Sequence, residues 1–122
     1  MGAILKEIIV DCVEPRKVAD FWGAVLGWQV QGTDEDGYFW MSESGAPHPG
    51  LLLVFVPVPE VKTVKDRIHL DVSPVGCDRD EEVERLLALG ATRADVGQGE
   101  QPWVVLADPE GNEFCVLGRR AD

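Results

Sequence analysis

The sequence predicts an α+β fold built from two βαβββ modules within one domain spanning residues 1–122. Three observations carry this. The order strand, helix, three strands can be read twice along the chain. Both helical segments stop at Leu-Gly, at Leu26-Gly27 and Leu89-Gly90, 63 residues apart. A shift of 62 lays Glu7 on His69 and Leu53 on Cys115, which makes these four positions candidates for equivalence about a pseudo-twofold axis.

The first module covers about 4–57 and opens with the apolar strand "ILKEIIVDCV". A helix over 15–26 follows. Glu14 and Pro15 start it, Val18, Phe21, Trp22, Val25 and Leu26 recur at helical spacing, and Gly27 stops it. Strands are expected around 28–30, over 37–41 and over 50–56, separated by the turn-rich "TDEDG" and "SESGAPHPG". Residues 58–65 read as a linker, and the second module covers about 66–118. It repeats the order: a strand over 68–72, a helix over 80–89, and strands over 92–96, 103–107 and 112–117. In "DPEGNEFCVL" the first half is a tight turn, with Gly111 and Asn112 at positions where positive φ is cheap. Its second half alternates, so Glu113, Cys115 and Leu117 share a face.

Acids outnumber bases 22 to 11, a formal charge of −11 that repels phosphate backbones and argues against nucleic-acid binding. No apolar run approaches the roughly 18 residues of a membrane span. The N-terminus has no signal-peptide pattern, and Cys12, Cys77 and Cys115 have no CxxC spacing; both features fit reduced thiols in a cytoplasm. Phosphate-cradling glycine loops, nucleophile elbows, HExxH and EF-hand patterns are all absent.

"DFWGAVLGW", "RIHLDV" and "DPEGNEFCVL", in this order on two βαβββ halves, resemble the vicinal oxygen chelate superfamily, most closely its glyoxalase-like and bleomycin-resistance-like members. The resemblance covers nearly the whole chain. It implies sheets that curl into a cup, and in metal-dependent members a ligand from the first and last strand of each half. Carried over, those positions fall on Glu7, Leu53, His69 and Cys115. The family usually places His or Glu first and Glu last, so this chain departs at two of four. Leu53 offers no lone pair, and a Cys115 thiolate suits zinc rather than a hard, oxygen-rich site. The metal candidates are therefore Glu7 and His69, an incomplete pair.

Other candidates follow from parity and chemistry. His69 shares a strand face with Asp71 and divides between a hydrogen-bonded structural residue and a ligand or acid/base. Glu7 and Asp11 either face inward, where a carboxylate needs a partner, or sit at an exposed strand end or helix cap. Cys115 divides between a packed small hydrophobe and a thiol site, with no basic neighbour in sequence to activate it. Glu113 precedes it on the same face, two residues before the family ligand position, and His48 lies on a Gly/Pro loop. Phe21 and Trp22 fit the core. Trp28, Trp40 and Trp103 stand at strands or strand ends, where an indole can line a pocket and stack on a planar or cationic group.

The expected function is a glyoxalase-like small-molecule-binding protein that holds a planar or cationic ligand, as sequestering resistance-type members do. Glu7, Asp11, Trp40, Leu53, His69, Asp71, Trp103, Glu113 and Cys115 are its candidate lining. The cofactor is expected to be none or a weakly held divalent metal. The alternative is a divalent-metal lyase, isomerase or dioxygenase in which the ion polarises a substrate oxygen. The resemblance also implies a homodimer with its sites near the subunit junction.

Overall fold

The computed structural model describes residues 1–43, 50–95, 97 and 99–122; His48 and most of its loop lie outside the described residues. The chain forms two compact units, Met1–Val61 and Lys62–Asp122. Each contains one helix and a four-stranded mixed sheet, so the architecture is α+β with the βαβββ order occurring twice.

In the first unit the order is β1 (Glu7–Cys12), α1 (Pro15–Leu26), β2 (Val30–Thr33), β3 (Phe39–Met41) and β4 (Leu52–Pro57). Pro15 begins α1 at a position where a missing N–H costs nothing. Gly27 ends it in the left-handed region at φ 71°. The Gly23 carbonyl then accepts from the Trp28 N–H at 3.0 Å, which draws Trp28 into the helix end and delays the next strand to Val30. Val18, Phe21, Trp22 and Val25 on α1 are buried, as are Met41, Leu53 and Phe55 on the sheet. The strands lie in the order β1-β4-β3-β2, with β1 and β4 parallel.

The second unit runs β5 (Leu70–Val72), α2 (Arg79–Leu89), β6 (Thr92–Arg93), β7 (Val104–Ala107) and β8 (Glu113–Val116). The Asp78 carboxylate accepts from the Glu81 N–H at 2.9 Å, and this cap starts α2 one residue before the sequence reading. Asp80, Glu81 and Glu82 fill the first turn, where negative charge complements the helix dipole. The sheet order is β5-β8-β7-β6, again with its first and last strands parallel.

The β7–β8 turn is built on Asp108, a nearly inaccessible residue. Its Oδ1 accepts from the N–H groups of Glu110 and Asn112, and its Oδ2 accepts from the Asn112 amide. Gly111 takes positive φ at 91°, while Asn112, expected to share that conformation, keeps negative φ. Its side chain bonds Asp108 instead.

Strand pairing corrects the uniform shift of 62. Ile8 pairs with Leu53 and Ile9 with Val54, whereas Leu70 pairs with Phe114 and Asp71 with Cys115. If the first strands correspond at 62, the last strands correspond at 61. Val54, and not Leu53, then stands where Cys115 stands. Leu53 pairs with Met41, whose methyl lies 3.7 Å from the place a Cβ on Gly23 would occupy. Leu53 therefore turns toward α1. Side chains alternate with period two, so a one-residue difference in register exchanges the two faces. Valine, like leucine, offers a metal no lone pair.

Candidate functional site

On the second sheet, Leu70, Val72, Leu106, Phe114 and Val116 share one face by register, and Leu106, Phe114 and Val116 are almost wholly buried. The opposite face carries Asp71, Val105, Glu113 and Cys115, with His69 in phase just before β5. This face borders a cavity of about 340 Å³. Its apolar walls are Trp103, Val105, Cys115 and Leu117, and its polar groups are Lys65, His69, Asp71 and Glu113.

The cavity contains a compact polar cluster. His69 Nε2 lies 3.2 Å from Asp71 Oδ1, and both side chains are about half exposed. Parallel pairing sets Asp71 beside Cys115. One donor atom from each of His69, Asp71 and Cys115 lies within 4.8 Å of the other two. Burial pushes the Cys115 thiol up, and the adjacent Asp71 charge and a hydrogen bond to it push the same way. The thiol is therefore a poor nucleophile near neutral pH.

Glu113 is anchored differently. Burial pushes its carboxyl up, but the Lys62 ammonium 2.9 Å away and the Asp66 N–H at 3.1 Å outweigh that and hold it below the ordinary carboxylate range. Asp66 moves the other way, raised by burial first and then by Glu113. The segment leading into β5 is thus tied to β8 by charge.

Of the sequence candidates, His69, Asp71, Trp103, Glu113 and Cys115 meet in this cavity. Glu7, Asp11, Trp40 and Leu53 belong to the first unit. There Glu7 and Asp11 lie on β1, exposed and in phase. Trp40 pairs with Val54 and covers Gly32, where an added Cβ would overlap its ring. Lys65, Val105 and Leu117 were not among the sequence candidates. Val105 and Leu117 were legible by alternation from Trp103 and Cys115, whereas Lys65 left no signal in a charged linker.

The donor chemistry of the cluster can be weighed for a metal. A nitrogen, a carboxylate oxygen and a sulfur are the donor types zinc accepts, and tetrahedral donors lie about 3.3–3.8 Å apart at zinc bond lengths. The trio supplies those donor types, with its donor atoms all within 4.8 Å of one another. It does not reproduce an oxygen-rich set.

Comparison with known proteins places the architecture. Residues 7–117 match the glyoxalase-like domain family. A fosfomycin resistance protein, FosX, from Listeria monocytogenes superposes with a TM-score of 0.72 at 17% identity, covering 99% of this chain and 94% of that one. A glyoxalase/bleomycin resistance protein/dioxygenase family enzyme from Burkholderia phytofirmans PsJN gives 0.68 at 18% identity, over 93% and 97% of the two chains. Protein ATC0852 from Agrobacterium tumefaciens gives 0.70 at 16%, over 98% and 100%. No curated protein matches by sequence. No helix among the described residues is long and apolar enough to cross a membrane. With the family match spanning every element of both units, the chain belongs to the glyoxalase-like domain family.

Proposed function

We propose that this chain is a small-molecule-binding protein that holds a planar, cationic ligand against the open face of β5, β7 and β8. The observation that carries the reading is the cavity of about 340 Å³, walled by Trp103, Val105 and Leu117 and edged by Lys65, His69, Asp71 and Glu113; Lys62 already pairs Glu113, so Asp71 is the carboxylate offered to a cation. Ligand sites are typically about 300–1,000 Å³, mostly apolar, with a few placed polar groups, so this cavity suits a small occupant. An indole face beside a carboxylate favours a cation through ring quadrupole and Coulomb attraction together. Titration of the protein with benzylammonium, followed by calorimetry and amide chemical shifts, tests this. Binding should weaken about tenfold in W103A, the size of one cation–π contact, and comparably in D71N. Unchanged binding in both variants would reject the site.

A second reading, a divalent-metal enzyme, is favoured by the His69–Asp71–Cys115 trio. One solved form of FosX carries manganese(II) and 1S,2S-dihydroxypropylphosphonic acid. In this chain the trio would hold the ion, and the ion would supply polarisation of a substrate oxygen. About one zinc per chain after purification without chelators, lost in both H69A and C115S, would favour this reading over the first.

Assembly as a homodimer belongs to the same proposal. β1 is an edge strand, Ile9 on it is 49% exposed, and Ile4 and Leu5 before it are 82% and 69% exposed. Sheet edges and exposed apolar side chains are stabilised by a partner. Light scattering at physiological salt reporting the mass of one chain, 13.4 kDa, would reject it.

A further inference from the structure

We infer that the ligand carries an anionic group, a carboxylate for instance, across its planar part from the end that meets Asp71; this rests on the binding reading above. A second cavity, of about 530 Å³, shares Trp103 and Leu117 with the first and is otherwise lined by Arg79, Pro102, Gly118 and Arg119. Trp103 thus has Asp71 and Glu113, together with Lys65 and His69, on the side of one cavity and two guanidiniums with no carboxylate in the lining of the other. In a chain with twice as many acids as bases, two arginines in one cavity are a local reversal of the overall charge.

The arginines differ in how they are held. Arg79 Nη1 donates to the Pro102 carbonyl at 2.8 Å, while Nε and Nη2 both donate to Asp80 Oδ1 at 3.0 and 2.9 Å. A guanidinium has five N–H groups in a fixed plane, so one on each terminal nitrogen remains to be used. The Asp80 side chain is 80% exposed, and such a pair contributes little that a ligand would have to displace. The Pro102 carbonyl also fixes the opposite wall. A Cβ on Gly118 would stand 2.7 Å from that oxygen, so only glycine lets the chain pass there and present Arg119. Arg119 makes no hydrogen bond or ion pair among the described residues. One pinned and one unengaged guanidinium, next to an aromatic wall, match a planar anion such as a carboxylate.

The test compares benzylammonium with para-(aminomethyl)benzoate, which places a carboxylate on the opposite side of the same ring. On the unmodified protein the carboxylate compound should bind about tenfold tighter or better, the strength of one charge-assisted hydrogen bond. This is opposite to the ordering that a net charge of −11 alone would impose. The double variant R79Q/R119Q should abolish the advantage. R119Q alone, at an exposed position that leaves folding intact, should remove part of it. Equal or weaker binding of the carboxylate compound, or an advantage that survives the double variant, overturns the inference while leaving the cation site standing. Absence of binding by both compounds overturns the cation site and the inference with it.

Discussion

Replacing Lys62 by Met should destabilise the second unit in a pH-dependent way. Lys62 Nζ and Glu113 Oε1 are 2.9 Å apart, with side chains 20% and 14% exposed. Methionine keeps the aliphatic stem and removes the charge. Glu113 then keeps backbone N–H donors, Asp66 at 3.1 Å among them, but loses the ammonium that opposes its burial. Breaking a fully buried pair costs about 3–5 kcal/mol, and an exposed pair contributes about 0–1. Partial burial places this one at about 2 kcal/mol at neutral pH. A carboxylate whose folded pKa is depressed stabilises fully above its unfolded pKa, about 4.3, and the contribution vanishes as pH falls through the folded value. The gap between the parent protein and K62M should therefore be widest at pH 6–7 and narrow as pH falls below the ordinary carboxylate range. Asp66, raised in the folded state, titrates with the opposite sign, so the comparison is best made in a D66N background that keeps its backbone N–H. Urea unfolding followed by fluorescence, at several pH values, measures it, with E113Q as the charge-free reference. A gap below about 0.5 kcal/mol, the usual size of a surface substitution, or a gap constant with pH, would refute the argument.

Three further outcomes follow from particular contacts. D108A should cost about 3 kcal/mol because three N–H donors lose one buried acceptor, while D108N, which keeps an acceptor oxygen, should cost about 1; denaturant midpoints check both. G32V should cost at least about 2 kcal/mol, since its side chain would overlap the Trp40 ring and force either the indole or β2 to move; the same unfolding measurement checks it. Cys115 should resist iodoacetamide at pH 8 in the folded protein and react at the rate of an ordinary thiol in urea, as peptide mass mapping would show; rapid native alkylation would contradict its raised pKa.

Much of this fold is legible in the sequence, and the departures have local causes. The first helix was readable in full because a proline, a helical stripe and a glycine mark its ends and face. The second began one residue early because the Asp78 side chain caps it, and the aspartates at 78 and 80 compete for that role in sequence. The strand expected at 28–30 was displaced because the Trp28 N–H serves the helix end. For the site, alternation alone linked His69 to Asp71 and Glu113 to Cys115, and both links are local in sequence. What brings the two strands together, the pairing of Asp71 with Cys115, is a hydrogen-bond register between distant segments. Nothing in the residue identities sets that register, which is also why Leu53 and Val54 could not be told apart.

That register has a use as a map for construction. Copying the His–Asp–Cys trio into the first sheet by sequence alignment alone would put the sulfur at L53C, under α1 and away from the other two groups. Strand pairing directs the graft to E7H, I9D and V54C, where Ile9 and Val54 already stand side by side. The two versions differ by one residue on one strand. Titration with zinc should separate them cleanly, with only the pairing-guided graft gaining a second equivalent of the ion if the native trio binds a first.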